Sequence, residues 1–406
     1  MAVISGLLYG LSPYLFLDIF VRGAIGEIVA MALIPWVIYG FDQKKKFLSV
    51  FALSAVLISH NLFGVLFLVF LFVYLVWNKS LDLRSFTYIL FSLGLSAFFL
   101  LPAILEKNLI ASGAENSFTF NYSEHFLYPR QLLYSKWDYW YSLPGPNDGM
   151  SFQLGFANIL AYLIGLFVFI FTKNKKLLFF LLVIPCALLF TLGYSLPVWR
   201  LLKPIQIIQF PWRFLFISLI SFPLLFFYTF FKPRKINKLF YFPAILLVCF
   251  ALYNTRNYRR PLIFIPFDEY QNRIALNYPK TTTALRQEIV PKWANKEKFA
   301  GGQVVNAQNQ EKIADIANRS SFTVKDQPEK ISVIIRKNYF PGWKLIKLSP
   351  RQTIPIKPDF EGNISASLDN GEYFLQYTGT LVERIANTIS LFSLLLLLLT
   401  LKKSYN

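Results

Sequence analysis

Long uncharged apolar runs recur along this 406-residue chain, and most of the short loops between them are rich in lysine. The run 62–77 reads LFGVLFLVFLFVYLVW, and 385–401 contains six consecutive leucines. A helix of about 20 apolar residues crosses about 30 Å of hydrocarbon, and hydrocarbon forces backbone polar groups to pair internally. The chain is therefore predicted to fold as an α-helical polytopic membrane protein.

The lysine-rich loops predict the topology. We predict about ten membrane segments, at 1–17, 24–41, 47–60, 62–77, 86–104, 153–171, 177–195, 212–231, 238–254 and 385–401. Basic clusters follow every second segment, at 44–46, 79–84, 173–176, 232–238 and 402–403. With ten crossings all five clusters lie on one side, which the positive-inside rule makes cytoplasmic. The C-terminus is therefore predicted to be cytoplasmic in a multi-pass protein of the cell membrane.

The net charge of +19 would suggest nucleic-acid binding in a soluble protein. Here Lys and Arg lie mostly in loops and in one C-terminal region, without the signature of an RNA- or DNA-binding module. We predict no nucleic-acid partner, and the charge indicates membrane lipid as the partner instead. Cys186 and Cys249 lie inside apolar segments, which favours packing over a disulfide or a metal ligand. No metal ligand is assigned and no cofactor is specified, although a divalent cation stays an alternative.

One polar region is too long to be a loop between membrane segments. Residues 255–384 contain strand-like alternation at 332–336 and 373–377, with Gly, Pro and Asn-Gly turns. We predict a transmembrane domain of about nine helices at 1–254, with an outer loop at 105–152. An extracytoplasmic α+β or β-sandwich-like domain at 255–384 and a C-terminal membrane helix at 385–401 follow. The β-sandwich-like unit is expected at 320–380, and helices near 282–290 and 309–318.

Ionisable residues cluster near the end of the first membrane segment, in LDIFVRGAIGEIVA. Asp18 and Arg22 are spaced i, i+4, so a continued helix would pair them. Gly23 and Gly26 would let the backbone turn back into the membrane. Because ionisable groups at a membrane boundary are functional candidates, Asp18 and Glu27 are candidate catalytic acids and Arg22 a candidate phosphate ligand. The alternative is an ion-pair clasp that fixes the helical hairpin.

His60 and Asn61 lie at the outer end of the third and fourth segments and are candidate substrate-binding residues. A histidine there could carry a proton or bind a ligand. The alternative is a pair that caps a helix end or bonds to a neighbouring helix.

The string IQIIQFPWRFL supplies the best candidate site for a lipid phosphate. Pro211 is predicted to begin the eighth helix, which places Arg213 in its first turn. Helix N-termini and guanidinium groups both favour phosphate, so Gln209 and Arg213 are candidate binding residues. The alternative for Arg213 is an interfacial side chain that snorkels to the headgroups.

Aromatic residues crowd the outer loop at 137–141, directly before the turn PGPNDG at 144–149. Such a surface suits sugar stacking, which makes Trp137 a candidate sugar ligand and Asp148 a third candidate acid. The alternatives are aromatic side chains at headgroup level and an Asx-turn aspartate. The later string Tyr339-Phe340-Pro341-Gly342-Trp343 is more typical of a sandwich edge than of a ligand platform.

Several strings together resemble a known family. They are SPYLFLDIFVRGAIGE (12–27), LISHN (57–61), LSAFFLLPA (95–103), PGPNDGMSFQLG (144–155) and QFPWRFL (209–215). These look like the membrane-protein family labelled "6-pyruvoyl-tetrahydropterin synthase-related". The tail strings NYFPGW (338–343) and NGEYFLQY (370–377) are similar to the extracytoplasmic tail of YfhO-type bacterial membrane proteins. Both groups resemble the GT-C class of polytopic glycosyltransferases.

The resemblance implies a GT-C-like fold and sugar transfer from a polyprenyl-phosphate carrier at the outer membrane face. It does not imply pterin synthesis, because that soluble enzyme needs a three-histidine zinc site and this chain has two histidines. In the GT-C class the essential acid lies in the first outer loop, a motif that the family would place before residue 1. We therefore expect an N-terminally truncated chain, and the family's acid is assigned to no residue here.

Two other functions stay open from the sequence. One is a non-catalytic scaffold or envelope-assembly protein, in which the polar clusters would be structural. The other is a lipid or polysaccharide transporter, which would need charged residues at mid-membrane and broken helices. The membrane segments carry little charge apart from the clusters above, so the transporter ranks last.

Overall fold

The computed structural model describes residues 2–112, 121–230, 241–259, 266, 268, 289–294, 303–316 and 320–402. Its α-helices are α1 (Ala2–Gly10), α2 (Pro13–Leu17), α3 (Ile25–Asp42), α4 (Lys46–Ser59), α5 (Asn61–Trp77), α6 (Leu83–Leu95), α7 (Ala97–Leu105), α8 (Pro129–Leu133), α9 (Phe156–Thr172), α10 (Lys175–Thr191), α11 (Leu196–Leu201), α12 (Leu215–Phe230), α13 (Tyr241–Asn254) and α14 (Leu381–Lys402). The chain divides into two compact units. The first comprises Met1–Ser96 and Asn116–Phe264, and the second comprises Ala97–Glu115 and Ile265–Asn406.

Each predicted membrane segment coincides with one or more helices, but fewer of them qualify as membrane spans. Within the described chain, four are long and apolar enough to cross a membrane: Ala2–Arg22, Ile25–Asp42, Pro211–Phe230 and Leu381–Thr400. A fifth is counted if the bent pair α6 and α7 forms one span. Helix α4 ends at Ser59 because His60 leaves helical geometry, so it reaches only about 21 Å. The count of ten spans and their sidedness stay predictions.

Three of the predicted basic loops share one backbone geometry. Lys44, Lys79 and Lys173 each follow the end of an apolar helix with φ of 51°, 53° and 49°. This left-handed conformation ends a helix and is usual for glycine at that position. A lysine near a helix C-terminus is favourable, because its charge opposes the negative end of the helix dipole. The basic residues at 232–238 and Lys403 lie outside the described residues.

Serine hydroxyls join α4 and α6 in the first unit. Ser54 Oγ donates to the Ser92 carbonyl at 3.2 Å, and Ser92 Oγ donates to the Val50 carbonyl at 3.2 Å. One turn further, Ser96 Oγ donates to the Ser54 carbonyl at 3.3 Å. Small side chains let the two backbones approach closely, which is how membrane helices pack without a hydrophobic driving force.

The second unit contains a two-sheet β domain. Its strands are β3 (Gln303–Asn306), β4 (Lys312–Asp315), β5 (Ser321–Val324), β6 (Ile331–Asn338), β7 (Trp343–Lys347), β8 (Gln352–Ile354), β9 (Lys357–Pro358), β10 (Asn363–Leu368) and β11 (Gly371–Tyr377), after a short pair of β1 (Ile110–Ser112) with β2 (Ile289–Pro291). One antiparallel sheet has the order β4-β3-β6-β10-β9 and the other β5-β11-β7-β8. Val304 and Ile335 of the first sheet share one buried core with Leu345 and Tyr373 of the second. This architecture confirms the predicted β-rich domain.

Two local predictions in this region fare differently. The strands expected at 332–336 and 373–377 are confirmed as parts of β6 and β11. The helix expected near 309–318 is wrong for its described residues, because Lys312–Asp315 pairs with β3 as strand β4. This strand lies at the edge of its sheet, with Lys312 and Asp315 exposed. Of the helix expected near 282–290, residues 282–288 lie outside the described residues, and Ile289 and Val290 belong to strand β2, so the prediction is wrong there.

The turn Asp369-Asn370-Gly371 carries the chain from one sheet to the other. Lys347 Nζ donates to Asp369 Oδ2 at 2.7 Å, and the Tyr373 hydroxyl donates to Oδ1 at 2.6 Å. The bond from Lys347, and then that from Tyr373, lowers the pKa of Asp369 from 3.8 to about 2. The carboxylate is therefore stabilised in the folded state.

The lowered pKa of Asp369 predicts an acid dependence for this domain. Its contribution to stability is fully present above pH 4 and is lost as the pH falls from about 4 to about 2. Asp369→Asn is expected to flatten the unfolding temperature of the β domain against pH over that window. The control is Glu329→Gln at an exposed position, which is expected to keep the wild-type profile. An Asp369→Asn profile as steep as wild type would contradict the assignment.

Candidate functional site

The first unit places a tight turn between its first two candidate membrane spans. After α2, residues Asp18–Arg22 form one turn of π-helix, and Gly23 ends it with φ of 58°. The left-handed conformation of Gly23 reverses the chain into α3, as the sequence predicts. Gly26 then lies against the end of α4, where an added Cβ would be 2.4 Å from the Ser59 carbonyl oxygen. The turn and this contact bring Glu27 beside His60.

Glu27 lies at the centre of an ion network. Arg22 donates from Nη1 to both Asp18 and Glu27, and from Nη2 to Glu27 Oε1 at 2.8 Å. Arg213 Nη2 lies 3.3 Å from Glu27 Oε1, and His60 Nε2 lies 3.5 Å from the same oxygen. Two guanidinium groups thus balance two carboxylates. Asp18 and Glu27 are 0% and 1% exposed, whereas Arg22 and His60 are 14% and 23% exposed.

Arg213 reaches this network from a distant part of the chain. Pro211–Phe214 forms a 3-10 turn directly before α12, so the helix begins later than Pro211, the predicted first residue. Arg213 Nη1 donates to the Ile208 carbonyl at 2.8 Å and lies 3.4 Å from Gln209 Oε1. Gln209 itself has φ of 65°, and this bend in the chain leaves the Ile208 carbonyl facing the Arg213 guanidinium. Arg213 is therefore fixed in a buried position by its own loop and by Glu27.

His60 both caps a helix and faces the network. Its Nδ1 accepts the backbone N–H of Phe63 at 3.2 Å, which makes it the N-cap of α5. An accepting Nδ1 has no proton, so the neutral ring carries its proton on Nε2, toward Glu27. The predicted helix-capping function is present, and it orients the ring. Asn61 Oδ1 accepts from the backbone of Leu62 at 2.8 Å, and Asn61 is exposed.

Tyr14 and Trp212, which are not among the predicted site residues, also belong to the site. The Arg22 guanidinium lies 4.7 Å from the centre of the Trp212 ring, a cation–π contact. The Tyr14 ring lies 6.5 Å from that of Trp212. Trp212 stands beside Arg213 in the string FPWR, and Tyr14 stands four residues before Asp18, so sequence proximity was the available signal.

Several buried polar atoms of this cluster have no hydrogen-bond partner among the described residues. They are Asp18 Oδ2, Trp212 Nε1 and Arg213 Nε. The carboxylate oxygen accepts hydrogen bonds, whereas the indole and guanidinium nitrogens donate them. Because buried polar groups are normally paired, these atoms fit a polar ligand that both donates and accepts.

The other predicted site residues lie in separate contacts. Asp148 Oδ1 accepts from Gln131 Nε2 at 2.8 Å, and Oδ2 accepts from the Lys136 backbone at 3.1 Å. Asp148 therefore holds distant parts of its loop together, through bonds other than those of the Asx turn that was the alternative. The Trp137 ring packs edge-on against Tyr258, with centroids 3.9 Å apart. Among the aromatic residues at 137–141 the most exposed ring is that of Trp140, at 60% exposure.

The part of the chain that the structure describes contains no group of three or more His, Cys, Asp and Glu residues placed to hold a metal ion. No protein-family model matches the chain, and neither the curated proteins nor the solved structures include a match. The function is therefore inferred from the geometry of the ion network and from its polar atoms that lack partners among the described residues.

Proposed function

We propose that this protein is a membrane glycosyltransferase that takes a sugar from a polyprenyl-phosphate carrier at the outer face of the cell membrane. The observation that carries the proposal is the buried network of Asp18, Arg22, Glu27 and Arg213 at the ends of candidate membrane helices. Its acceptor and donor atoms that lack partners among the described residues match the hydroxyl and phosphate groups of such a reaction. The resemblance of the surrounding sequence strings to GT-C proteins supports the same proposal.

Arg213 is the proposed phosphate ligand. Two of its three nitrogens are used by Ile208 and Glu27, and Nε has no partner among the described residues. A phosphate oxygen would complete the donor set of the guanidinium. Arg22 is the more exposed of the two arginines and lies over the Trp212 ring, which places positive charge at the approach to the network.

Asp18 is the proposed base. One of its oxygens pairs with Arg22, and Oδ2 has no partner among the described residues. In the proposed reaction the acceptor hydroxyl oxygen attacks the anomeric carbon while its proton passes to Asp18 Oδ2. The bond between the anomeric carbon and the phosphate oxygen breaks, and the carrier phosphate leaves with the electron pair. Glu27 would position both arginines and does not touch substrate in this scheme.

A second candidate function is a non-catalytic membrane scaffold. The observation in its favour is the charge balance, because Glu27 already binds Arg22 and Arg213 and faces His60. Such a closed set suits an ion-pair clasp between helices. The two functions differ in what happens when a network residue is changed without loss of the fold.

Arg213→Ala distinguishes the glycosyltransferase from the scaffold. In membranes supplied with radiolabelled polyprenyl-phosphate hexoses, the variant is expected to lose sugar transfer by about 100-fold or more, since a charge-stabilising donor is removed. Arg200→Ala, at an exposed arginine of the same unit, is the matched control and is expected to retain transfer. Both variants should insert in the membrane at the wild-type level.

The outcome separates the two candidates. Unchanged transfer in inserted Arg213→Ala would exclude Arg213 as the phosphate ligand. Absence of transfer in the wild-type protein across the hexose series, with a strong loss of stability in Arg213→Ala, would favour the scaffold.

A further inference from the structure

A small polar cavity lies inside the first unit, between α2, the segment that leads into α9, and α12. It is lined by Ser12, Tyr14, Gln153, Asn158 and Ser218, together with apolar side chains of α12 and Leu154. About 10 Å³ is open to the centre of a water molecule. A space of this size accommodates one water and excludes a sugar or a phosphate.

Three polar side chains from three different segments bring unused hydrogen-bonding groups to the cavity. The Tyr14 hydroxyl, Gln153 Nε2 and Ser218 Oγ are buried without a hydrogen-bond partner among the described residues. Their residues are 5%, 7% and 1% exposed. Leaving three such groups unpaired in one place would oppose folding, because each loses its bonds to water on burial.

Ser218 also lacks the hydrogen bond that a helical serine commonly makes within its own helix. A serine or threonine inside a helix commonly bonds to the carbonyl four residues earlier. Thr229 of α12 does so, donating to Leu225 at 2.8 Å, and Ser54 of α4 donates to Val50 at 2.8 Å. Ser218 lines the cavity and does not use this option. Its hydroxyl is therefore free for a ligand in the cavity.

We propose that this cavity binds one structural water molecule that links Tyr14, Gln153 and Ser218. Water is the ligand that fits, since it accepts from the amide of Gln153 and both donates to and accepts from the two hydroxyls. A cation is disfavoured because the lining has no carboxylate. The water joins α2 to α12 and holds Tyr14 beside Trp212, which carries Arg22 on its ring. This inference is independent of sugar transfer.

A double-mutant cycle on the purified full-length protein tests the shared water. Tyr14→Phe and Ser218→Ala each remove one hydrogen-bond partner of the water. The decreases in unfolding temperature that they cause should therefore not be additive. The double variant is expected to fall short of the summed decrease by about 2 °C or more. The control cycle pairs Tyr14→Phe with Ser221→Ala, because Ser221 is also buried on α12 without a partner for its hydroxyl but is not among the cavity-lining residues. That pair should be additive.

Radiolytic footprinting in ¹⁸O-labelled water supplies the second measurement and needs no variant. Tyr14 should be labelled several-fold faster than Tyr74, which is also buried, at 2% exposure against 5%, but whose hydroxyl is bonded to Asp42. Coupling together with labelling supports the water site. An additive Tyr14–Ser218 cycle overturns it, and coupling without labelling also overturns it, because it would indicate direct contact.

Discussion

Glu27→Gln is expected to destabilise the first unit by about 3–5 kcal/mol, because it leaves a buried guanidinium without its balancing charge. Glu27 is 1% exposed and is the carboxylate shared by Arg22 and Arg213. In the variant Arg22 keeps Asp18, while Arg213 keeps only the neutral oxygens of Ile208 and Gln209. Glutamine preserves the shape and an acceptor, so the loss reports charge more than packing.

The measurement is thermal unfolding of the detergent-purified protein, followed by tryptophan fluorescence. The unfolding temperature should fall by roughly 10 °C. Glu124→Gln is the control, since Glu124 is exposed on a 3-10 turn of the same unit, and it should unfold like wild type. A decrease in Glu27→Gln no larger than that of the control would mean that the network contributes little to stability.

Gly26→Ala is expected to disturb the same site without changing any charge. An added methyl group would lie 2.4 Å from the Ser59 carbonyl oxygen, which belongs to a helix backbone and cannot rotate away. Either α3 or α4 must move, at a cost of about 1–3 kcal/mol or more. The movement would also separate Glu27 from His60, whose ring caps the next helix.

The matched control is Gly6→Ala in α1, where an added Cβ meets nothing within 4 Å. Alanine favours helix over glycine by about 0.8–1 kcal/mol, so this variant should be as stable as wild type or slightly more stable. Of the two variants, only Gly26→Ala is therefore expected to lower the unfolding temperature. Equal stability of Gly26→Ala and wild type would show that α3 and α4 are not in close contact at Gly26.

Helix positions could be read from the chain because hydrophobicity is a local property. The predicted segment 62–77 corresponds to helix α5 (Asn61–Trp77), and the predicted segment 24–41 corresponds to helix α3 (Ile25–Asp42). Span lengths were harder, because a helix ends where the backbone departs from helical angles and not where apolar residues stop. His60 shows this, since it ends α4 and begins α5 within an apolar stretch.

Part of the candidate site could be predicted from the sequence. The i, i+4 spacing of Asp18 and Arg22 predicts their pairing, and the structure has it. The partners of Glu27 could not be predicted in the same way, because His60 and Arg213 come from distant segments and meet it only through helix packing. Asp148 had the same local appearance as the others, yet its bonds hold its own loop.

The sequence by itself determined the apolar helices, the turn at Gly23 and the β-rich character of the C-terminal region, since each depends on neighbours along the chain. Tertiary structure alone decided that one carboxylate, Glu27, serves two arginines, and that Tyr14, Gln153 and Ser218 enclose one polar cavity. The physical reason is the cost of burying polar groups. A buried charge or hydroxyl takes whichever partner packing brings within about 3 Å, and spacing along the chain does not encode that partner.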